Sequence, residues 1–347
     1  MDTTKTVSAP VRSALGSVDE TYYTLSPDGG KLPQTSAPAI IAAMLDLLQL
    51  APGQRVLEIG TGSGYSTALI SHLVGDTGHV VSVEVHPDLT RRAERLLHAD
   101  QRTNAHLING DGVKGAPAQG PFDRIIAWAA PRSIPAEWTH QAVPGALMVT
   151  PLNVTDLAKT ILVVRARRGR HATAITVDRL LKAGFVEAHA EVVDQWMVPP
   201  YGVDALVHDG GQQPWWLSAA WLRAEDGRTV GEAVLERLIA EGRPVSGPLA
   251  EAEDAAGFYA YLLATRPEGL TTAALGDPGW RIGYASPAGA ALVGSDDAIL
   301  AGDGEAWHAL TGWADRWRER GRPGFDRLRP ELQRGEHGWL VRVALAD

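Results

Sequence analysis

The sequence predicts an α/β protein, built on a doubly wound parallel sheet and followed by a second, smaller α+β domain. Stretches typical of strands and helices alternate through the first half, and a glycine-rich turn follows the first strand. The composition then changes, because two of the 11 Trp residues precede residue 190 and the others follow it. We therefore expect an N-terminal arm at residues 1–35, a first domain at 36–200 and a C-terminal domain at 201–347.

The first domain begins with a predicted helix. Residues 36–50 carry apolar side chains at helical spacing, and Ala51-Pro52-Gly53 ends the pattern. Further helices are expected at 65–74 and 87–99. The expected strands are 55–59, 79–84, 105–109, 123–128, 145–152 and 159–167. Strands that alternate with helices in this way are typical of a parallel sheet with helices on both faces.

The C-terminal domain has a mixed pattern. Helices are expected at 230–241, 252–264 and 305–320, and the last of these carries a stripe of Trp residues. Short strands are expected at 280–284, 290–293, 298–300 and 338–345. Since Trp anchors are common at interfaces, we expect some of these residues to be exposed and to bind a peptide, namely some of Trp215, Trp216, Trp221, Trp307, Trp313 and Trp317.

Composition excludes several classes of function. Lys and Arg number 32 and Asp and Glu 41, which gives a net charge of −9 and argues against nucleic acid as a partner. The absence of Cys excludes disulfides and thiolate zinc sites, and the 11 His residues show no metal-ligand spacing. No long apolar run or signal peptide is evident, so we expect a cytoplasmic protein without membrane association and without a metal.

A candidate nucleoside pocket follows three successive strands. Glycines let the turn after the first strand bend tightly, an acidic residue ends the second strand, and an Asp-Gly pair follows the third. A carboxylate in the second position can accept both ribose hydroxyls, and one in the third can accept an adenine amino group. The residues concerned are Glu58, Gly60, Thr61, Gly62, Ser63 and Gly64, then Glu84, then Asp111 and Gly112.

These residues and four further segments resemble the protein-L-isoaspartate O-methyltransferase family, within the class I S-adenosylmethionine-dependent methyltransferases. The further segments are Gln34-Thr35-Ser36-Ala37-Pro38, Asn109-Gly110-Asp111-Gly112, Phe122-Asp123-Arg124-Ile125-Ile126 and Met197-Val198-Pro199. The resemblance implies a Rossmann-like methyltransferase sheet, with S-adenosyl-L-methionine as cofactor and S-adenosyl-L-homocysteine as product. It also implies that Ser36 is the active-site serine, that Gln34 and Thr35 flank the donor pocket, and that Val198 and Pro199 contact substrate.

A carboxylate acceptor is consistent with this set of residues. It is already ionised at pH 7, so the enzyme has to align it with the methyl group and exclude water rather than supply a base. Ser36 has a second interpretation, since it could also be the N-cap of the following helix. Trp128 stands at the end of the fourth strand, where the resemblance leads us to expect a small or hydroxyl residue.

The long C-terminal extension resembles members of the family associated with ribosomally made, modified peptides such as lanthipeptides and graspetides. In those, an Asp side chain is methylated, and the ester is converted to aspartimide and then, in some cases, to isoaspartate. General repair of isoaspartyl proteins is the alternative. A peptide-binding scaffold without turnover is a third interpretation, although such a scaffold would be expected to lose Glu84, Asp111 or a glycine.

Overall fold

The computed structural model describes residues 7–33, 35–171, 174–193, 198–208, 210–211, 213–223, 226–277, 279–294 and 297–346. The chain divides into two compact units. Unit 1 comprises Met1–Leu152, Ile161–Val193 and Leu332–Leu340, and unit 2 comprises Asn153–Thr160, Asp194–Glu331 and Val341–Asp347. The boundaries predicted from the sequence are single cuts, whereas both units contain segments that are distant in sequence.

Unit 1 begins with three helices, α1 (Ala9–Ser17), α2 (Glu20–Thr24) and α3 (Pro38–Leu48). The first two lie within the predicted arm, and both contribute to the hydrophobic core of the unit. Val11 and Ala14 of α1 and Tyr23 of α2 are buried in that core. Burial of these side chains explains why this segment is helical although its sequence has no strong helical periodicity.

The main sheet of unit 1 has the predicted doubly wound arrangement. Its strands are β1 (Arg55–Ile59), β2 (His79–Glu84), β3 (Ala105–Asn109), β4 (Phe122–Ala127), β6 (Ala142–Asn153), β7 (Ile161–Arg168) and β8 (Ile175–Lys182), in the order β3-β2-β1-β4-β6-β7-β8. The first four strands and β6 pair in parallel, and β8 pairs with β7 in antiparallel fashion. The helices are α4 (Tyr65–Val74), α5 (Pro87–Ala99) and α6 (Ala136–Gln141).

Helix α3 is anchored to β4 at its C-terminal end. The helix packs on this strand, and Arg124, near the start of β4, donates from Nε to the carbonyl oxygen of Leu48 at the end of α3 (2.9 Å). We expect the opposite end of the helix, which follows Ser36, to point toward the carboxyl ends of the parallel strands, the edge at which ligands bind in an open α/β sheet.

Strand β8 was not predicted from the sequence. Its burial alternates only weakly, which is typical of a strand at the edge of a sheet. An ion pair joins it to the sheet, because Arg165 of β7 donates from Nε and Nη2 to the two carboxylate oxygens of Asp178, both at 2.8 Å. This bidentate pair holds the pKa of Asp178 below its ordinary value.

Unit 2 has its own antiparallel sheet. The strands are β9 (Ala205–Val207), β10 (Trp215–Ala219), β11 (Arg243–Val245), β12 (Leu270–Leu275), β13 (Arg281–Ser286), β14 (Gly289–Val293) and β15 (Ala298–Gly302), in the order β11-β15-β14-β13-β12-β10-β9. The helices are α7 (Gly227–Glu241), α8 (Ala255–Thr265) and α9 (Glu305–Glu319). The predicted α+β class is therefore confirmed, with more strands than the sequence indicated.

The Trp residues of unit 2 correct the expectation of exposed anchors. Trp216, Trp313 and Trp317 are buried, and the ring of Trp317 packs at a tilt of 58° against Phe258 in the core between α8 and α9. Trp215, Trp221, Trp280 and Trp307 are partly buried, so within the described residues no Trp is classed as exposed. Large aromatic side chains supply much of the buried area that a small unit needs.

A third, small sheet consists of β5 (Ile134–Pro135), β16 (Leu328–Gly335) and β17 (Gly338–Leu345). Within unit 1, Trp339 pairs with Ile134 and is 6% exposed. Consequently, a chain cut near residue 203 would lose a strand that unit 1 uses. Within the parts of the chain that the structure describes, no helix is both long and apolar enough to cross a membrane.

Candidate functional site

The turn between β1 and α4 contains three glycines in the left-handed region of backbone space. Their φ angles are +89° at Gly60, +52° at Gly62 and +86° at Gly64. A Cβ atom on Gly64 would lie 3.1 Å from the Cβ of Ala93. Gly60 donates its N–H to the carbonyl oxygen of Val83 at 2.8 Å, which places the turn at the carboxyl ends of β1 and β2.

Glu84 lies beside this turn, as the sequence predicts. Its side chain ends β2 and is 5% exposed. One carboxylate oxygen accepts the N–H of Gly62 at 2.9 Å, and the other accepts the N–H of His86 at 3.0 Å. Because a carboxylate oxygen accepts two hydrogen bonds, each retains a position for a further donor such as a hydroxyl group.

The end of β3 adjoins the end of β2. Asn109 donates from Nδ2 to the main-chain oxygen of Glu84 at 2.8 Å, and Asp111 follows two residues later. The Oδ1 atom of Asp111 accepts the N–H of Val113 at 2.9 Å, and Nζ of Lys114 lies 3.9 Å from Oδ2. The three strand ends predicted to form a pocket therefore meet at one edge of the sheet.

Gly112 has a structural role that the sequence did not indicate. A Cβ at this position would lie 2.3 Å from Cγ2 of Ile59, so packing inside the protein already requires a glycine. Its carbonyl oxygen also accepts the indole N–H of Trp138 at 2.9 Å. The expectation that glycine is needed here to admit an adenine ring stays a prediction.

Glu58 corrects the prediction of a direct cofactor contact. Its carboxylate is completely buried, and each oxygen is occupied by two donors from the protein. Oε1 accepts from the Ser66 hydroxyl (2.6 Å) and the indole N–H of Trp128 (2.8 Å), while Oε2 accepts from the hydroxyls of Thr67 and Ser82. Burial raises the pKa of Glu58, although the four donors oppose this shift by stabilising the anion.

A chain of hydroxyl groups joins Glu58 to the glycine turn. Ser82 donates to Glu58 at 2.7 Å, and the Thr61 hydroxyl lies 2.6 Å from Ser82 Oγ. Ser63, also buried, accepts the N–H of Tyr65 on its hydroxyl oxygen at 3.4 Å. The side chains of Thr61 and Ser63 are thus used within the protein, and their carbonyl oxygens accept from Gly64 N–H and Arg92, so their main-chain N–H groups are the parts suited to face a ligand.

Trp128 and Ser82 belong to this network but were not predicted as site residues. A polar residue in the middle of the apolar stretch HVVSVE was the available signal for Ser82, which is fully buried. The Trp128 Cβ lies 3.6 Å from where a Cβ on Gly60 would be, and its main-chain N–H extends the pairing of β1 with β4. Trp128 therefore packs against the start of the glycine turn through its Cβ, while its indole N–H bonds Glu58.

Thr35 and Ser36 precede α3. Both are partly buried, and the Oγ1 atom of Thr35 is buried without a hydrogen-bond partner among the described residues. The N-cap of α3 is Ala37, and within the described chain no side chain caps the helix, which contradicts the capping interpretation of Ser36. Gln34, predicted to flank the donor pocket, lies outside the described residues.

The predicted substrate residues Val198 and Pro199 belong to unit 2, and both are exposed, Val198 by 38%. Met197, which precedes them in the motif, lies outside the described residues. Their contact with substrate stays a prediction.

Comparison with known proteins identifies the family. A sequence model described as protein-L-isoaspartate(D-aspartate) O-methyltransferase matches residues 16–191, which is half of the chain. This chain belongs to the protein-L-isoaspartate(D-aspartate) O-methyltransferase family. It is therefore an S-adenosylmethionine-dependent carboxyl O-methyltransferase, as the glycine turn and the resemblance predicted.

Relatives with the same name cover the first half of the chain. The protein-L-isoaspartate O-methyltransferase of Methanothrix thermoacetophila is 43% identical over 151 residues, covering 44% of this chain and 69% of the relative. That of Anaeromyxobacter dehalogenans is 43% identical over 153 residues, covering 44% and 70%. A solved structure named protein-L-isoaspartate O-methyltransferase aligns over 99% of this chain and 96% of its own, with a TM-score of 0.50 and 19% identity, and so shares the fold.

The residues present fit S-adenosylmethionine, the methyl donor of the family. The Thr35 hydroxyl, which is buried without a partner among the described residues, and the carboxylate of Glu84 provide hydrogen-bonding capacity for a ligand. Across the described ranges, the structure contains no group of three or more His, Asp or Glu residues that could hold a metal ion.

Proposed function

We propose that this methyltransferase acts on the side-chain carboxylate of an Asp residue in a ribosomally made, modified peptide. The supporting observation is that the family match ends at residue 191, beyond which unit 2 adds a sheet and a core of its own. A second unit is suited to selecting a particular partner, whereas repair of arbitrary damaged proteins calls for a permissive site.

The proposed donor site lies against the carboxyl ends of β1, β2 and β3. Glu84 accepts hydrogen bonds from the ribose hydroxyls, and Asp111 accepts one from the adenine amino group. The main chain of the glycine turn, Gly60 to Gly64, would hold the amino-acid part of the donor, and Thr35 would donate its hydroxyl to it. The contacts that join Glu84 to Gly62 and to Asn109 support this arrangement.

Bound S-adenosylmethionine supplies an electrophilic methyl group on a positively charged sulfur. Ser36 orients the acceptor by donating a hydrogen bond to one carboxylate oxygen, while the other oxygen attacks. The new oxygen–carbon bond forms as the carbon–sulfur bond breaks, and the electron pair remains on sulfur. No proton moves in this step, since the carboxylate is already ionised. The next backbone nitrogen can then displace methanol from the ester, which yields the aspartimide.

General repair of isoaspartyl residues is the second candidate. It is supported by the relatives named protein-L-isoaspartate O-methyltransferase and by the solved structure of that name, which aligns with both units of this chain. The alignment covers both units, so a second unit also occurs in a solved protein that has the repair enzyme's name. In both candidates the substrate is a peptide or protein carboxylate.

The test compares two acceptors at equal concentration. One is a ribosomally made, Asp-containing precursor peptide, before and after its macrocyclisation, and the other is an unrelated peptide containing isoaspartate. Mass spectrometry follows the gain of a methyl group and the subsequent loss of methanol, and an Asp→Asn version of each peptide is the control. We expect a kcat/KM at least about 100-fold higher for the cyclised precursor, since specificity equals a difference in transition-state binding. Equal values for the two acceptors would contradict the proposal in favour of repair.

A further inference from the structure

One side chain, Arg92 of α5, bonds two separate parts of unit 1. Its Nη1 donates to the carbonyl oxygen of Ser63 in the glycine turn at 3.2 Å, and its Nη2 donates to the carbonyl oxygen of Leu25 at 2.8 Å. Leu25 follows α2, within residues 19–32, which we call the N-terminal strap. The guanidinium group therefore connects the proposed donor site to a segment far from it in sequence.

The N-terminal strap is braced by its own contacts. Asp19 accepts the N–H of Thr21 at 2.9 Å and so caps α2, while Lys31 donates to Glu20 at 2.9 Å. Leu25 also forms an antiparallel bridge with Lys31. These contacts link the two ends of the strap, so we expect a displacement at Leu25 to shift the residues that follow, which lead to Thr35 and Ser36.

The strap also rests on the elements that carry the site. Tyr23 donates its hydroxyl to Asp100, at the end of α5, at 2.6 Å. Its ring lies 3.5 Å from the position that a Cβ on Gly64 would occupy, and 6.5 Å from the ring of Tyr65. Strap, glycine turn and α5 thus meet at one place, and Arg92 bonds the first two simultaneously.

We propose that Arg92 is a positioning residue, which couples occupancy of the glycine turn to the placement of the strap and, through it, of Thr35 and Ser36. The planar guanidinium holds two acceptors in a fixed geometry, which a flexible ammonium group does not do. When a ligand fixes the glycine turn, the Ser63 carbonyl is fixed with it, and Arg92 then restrains Leu25. The consequence for methyl transfer rests on the proposed role of Ser36.

The test uses S-adenosylhomocysteine as the probe and hydrogen–deuterium exchange as the readout. In the wild type, saturating probe slows amide exchange in both the glycine turn and the strap, the latter by about tenfold, a typical size for coupling between sites. In Arg92→Lys, exchange in the glycine turn still slows, but the strap responds by less than about twofold, since one ammonium group cannot hold both carbonyls in place. Arg92→Gln is a second variant with the same expectation.

Arg91→Lys is the matched control, because Arg91, the neighbour of Arg92 on α5, is exposed and paired with Asp88. It should respond like the wild type. Equal slowing of strap exchange in Arg92→Lys and the wild type would overturn the proposal, and so would a wild-type strap that does not respond to the probe. Since no peptide is present, the result is independent of whether the proposed acceptor is correct. With an accepted peptide, Arg92→Lys should lower the single-turnover rate of donor-saturated enzyme more than it raises KM for the donor.

Discussion

Replacement of Glu84 by Ala should weaken the binding of S-adenosylhomocysteine without unfolding the protein. In the proposed site, this carboxylate accepts hydrogen bonds from two ribose hydroxyls. Hydrogen bonds to a charged acceptor contribute more than neutral ones, so their loss corresponds to roughly 1.5–3 kcal/mol. At 1.4 kcal/mol for each factor of ten, the dissociation constant rises by roughly 10- to 150-fold.

The effect on stability should be smaller. The substitution leaves the N–H groups of Gly62 and His86 without their acceptor, but both lie at the edge of the sheet where water can replace it. We expect a loss of about 1 kcal/mol in the free energy of unfolding, measured in urea. Asp88→Ala is the control for affinity, because this carboxylate is 91% exposed and its ion pair is with Arg91.

Calorimetric titration of both variants with S-adenosylhomocysteine tests whether Glu84 contributes to the donor site. The reasoning predicts a weaker, less exothermic interaction for Glu84→Ala and wild-type values for Asp88→Ala. An unchanged affinity in Glu84→Ala would refute the role of this residue in the donor site. If Asp88→Ala lost as much affinity as Glu84→Ala, the loss would be due to the change in net charge and not to the hydrogen bonds of Glu84.

Three further predictions concern other residues. Ser36→Ala should reduce the single-turnover rate by ~100-fold with unchanged S-adenosylhomocysteine affinity; since this serine does not cap α3, its melting temperature should match the wild type, and a rate per folded molecule equal to wild type would contradict the orienting role. Trp128→Phe removes a donor to Glu58 and should destabilise the protein by about 1–2 kcal/mol at pH 7. Burial holds the folded-state pKa of Glu58 above its ordinary value of 4.5, so the carboxyl is neutral in both folded proteins at lower pH, and the deficit should grow only as the pH rises above 4.5 and the carboxyl ionises. Urea unfolding at pH 4 and pH 7 checks this, and a deficit that does not grow between the two would contradict it. Hydrogen bonds from Arg318 lower the pKa of Glu253 in unit 2 to about 2, so its contribution to stability is present above pH 4.5 and is lost as the pH falls toward that value. Glu253→Gln should abolish this part of the acid sensitivity, and an unchanged acid-unfolding curve would contradict the assignment.

Local patterns were sufficient for much of unit 1. The helices at Tyr65–Val74 and Pro87–Ala99 and the strands β1, β2 and β3 have the bounds that periodicity predicts. Each is a continuous segment with a regular apolar pattern that ends at Gly, Pro or a polar residue. Elements with weaker patterns were missed, such as α2, whose five residues are helical because Asp19 caps them and Tyr23 is buried.

The sequence by itself determined the class of this protein: a strand, a glycine turn and a helix, with acidic residues at the ends of the next strands, predict a nucleoside site and, with the Thr-Ser-Ala-Pro segment, the methyltransferase family. Only the tertiary structure decided which acid is free to meet a ligand. Glu58 and Glu84 both lie near the ends of parallel strands, yet Glu58 is enclosed by four donors from α4, β2 and the residue after β4, while Glu84 bonds main-chain groups at the open edge. Likewise, only the tertiary structure decided that Trp residues of unit 2 such as Trp313 and Trp317 fill its core instead of being exposed. Burial depends on which distant segments pack around a side chain, and that information is absent from the local pattern of the chain.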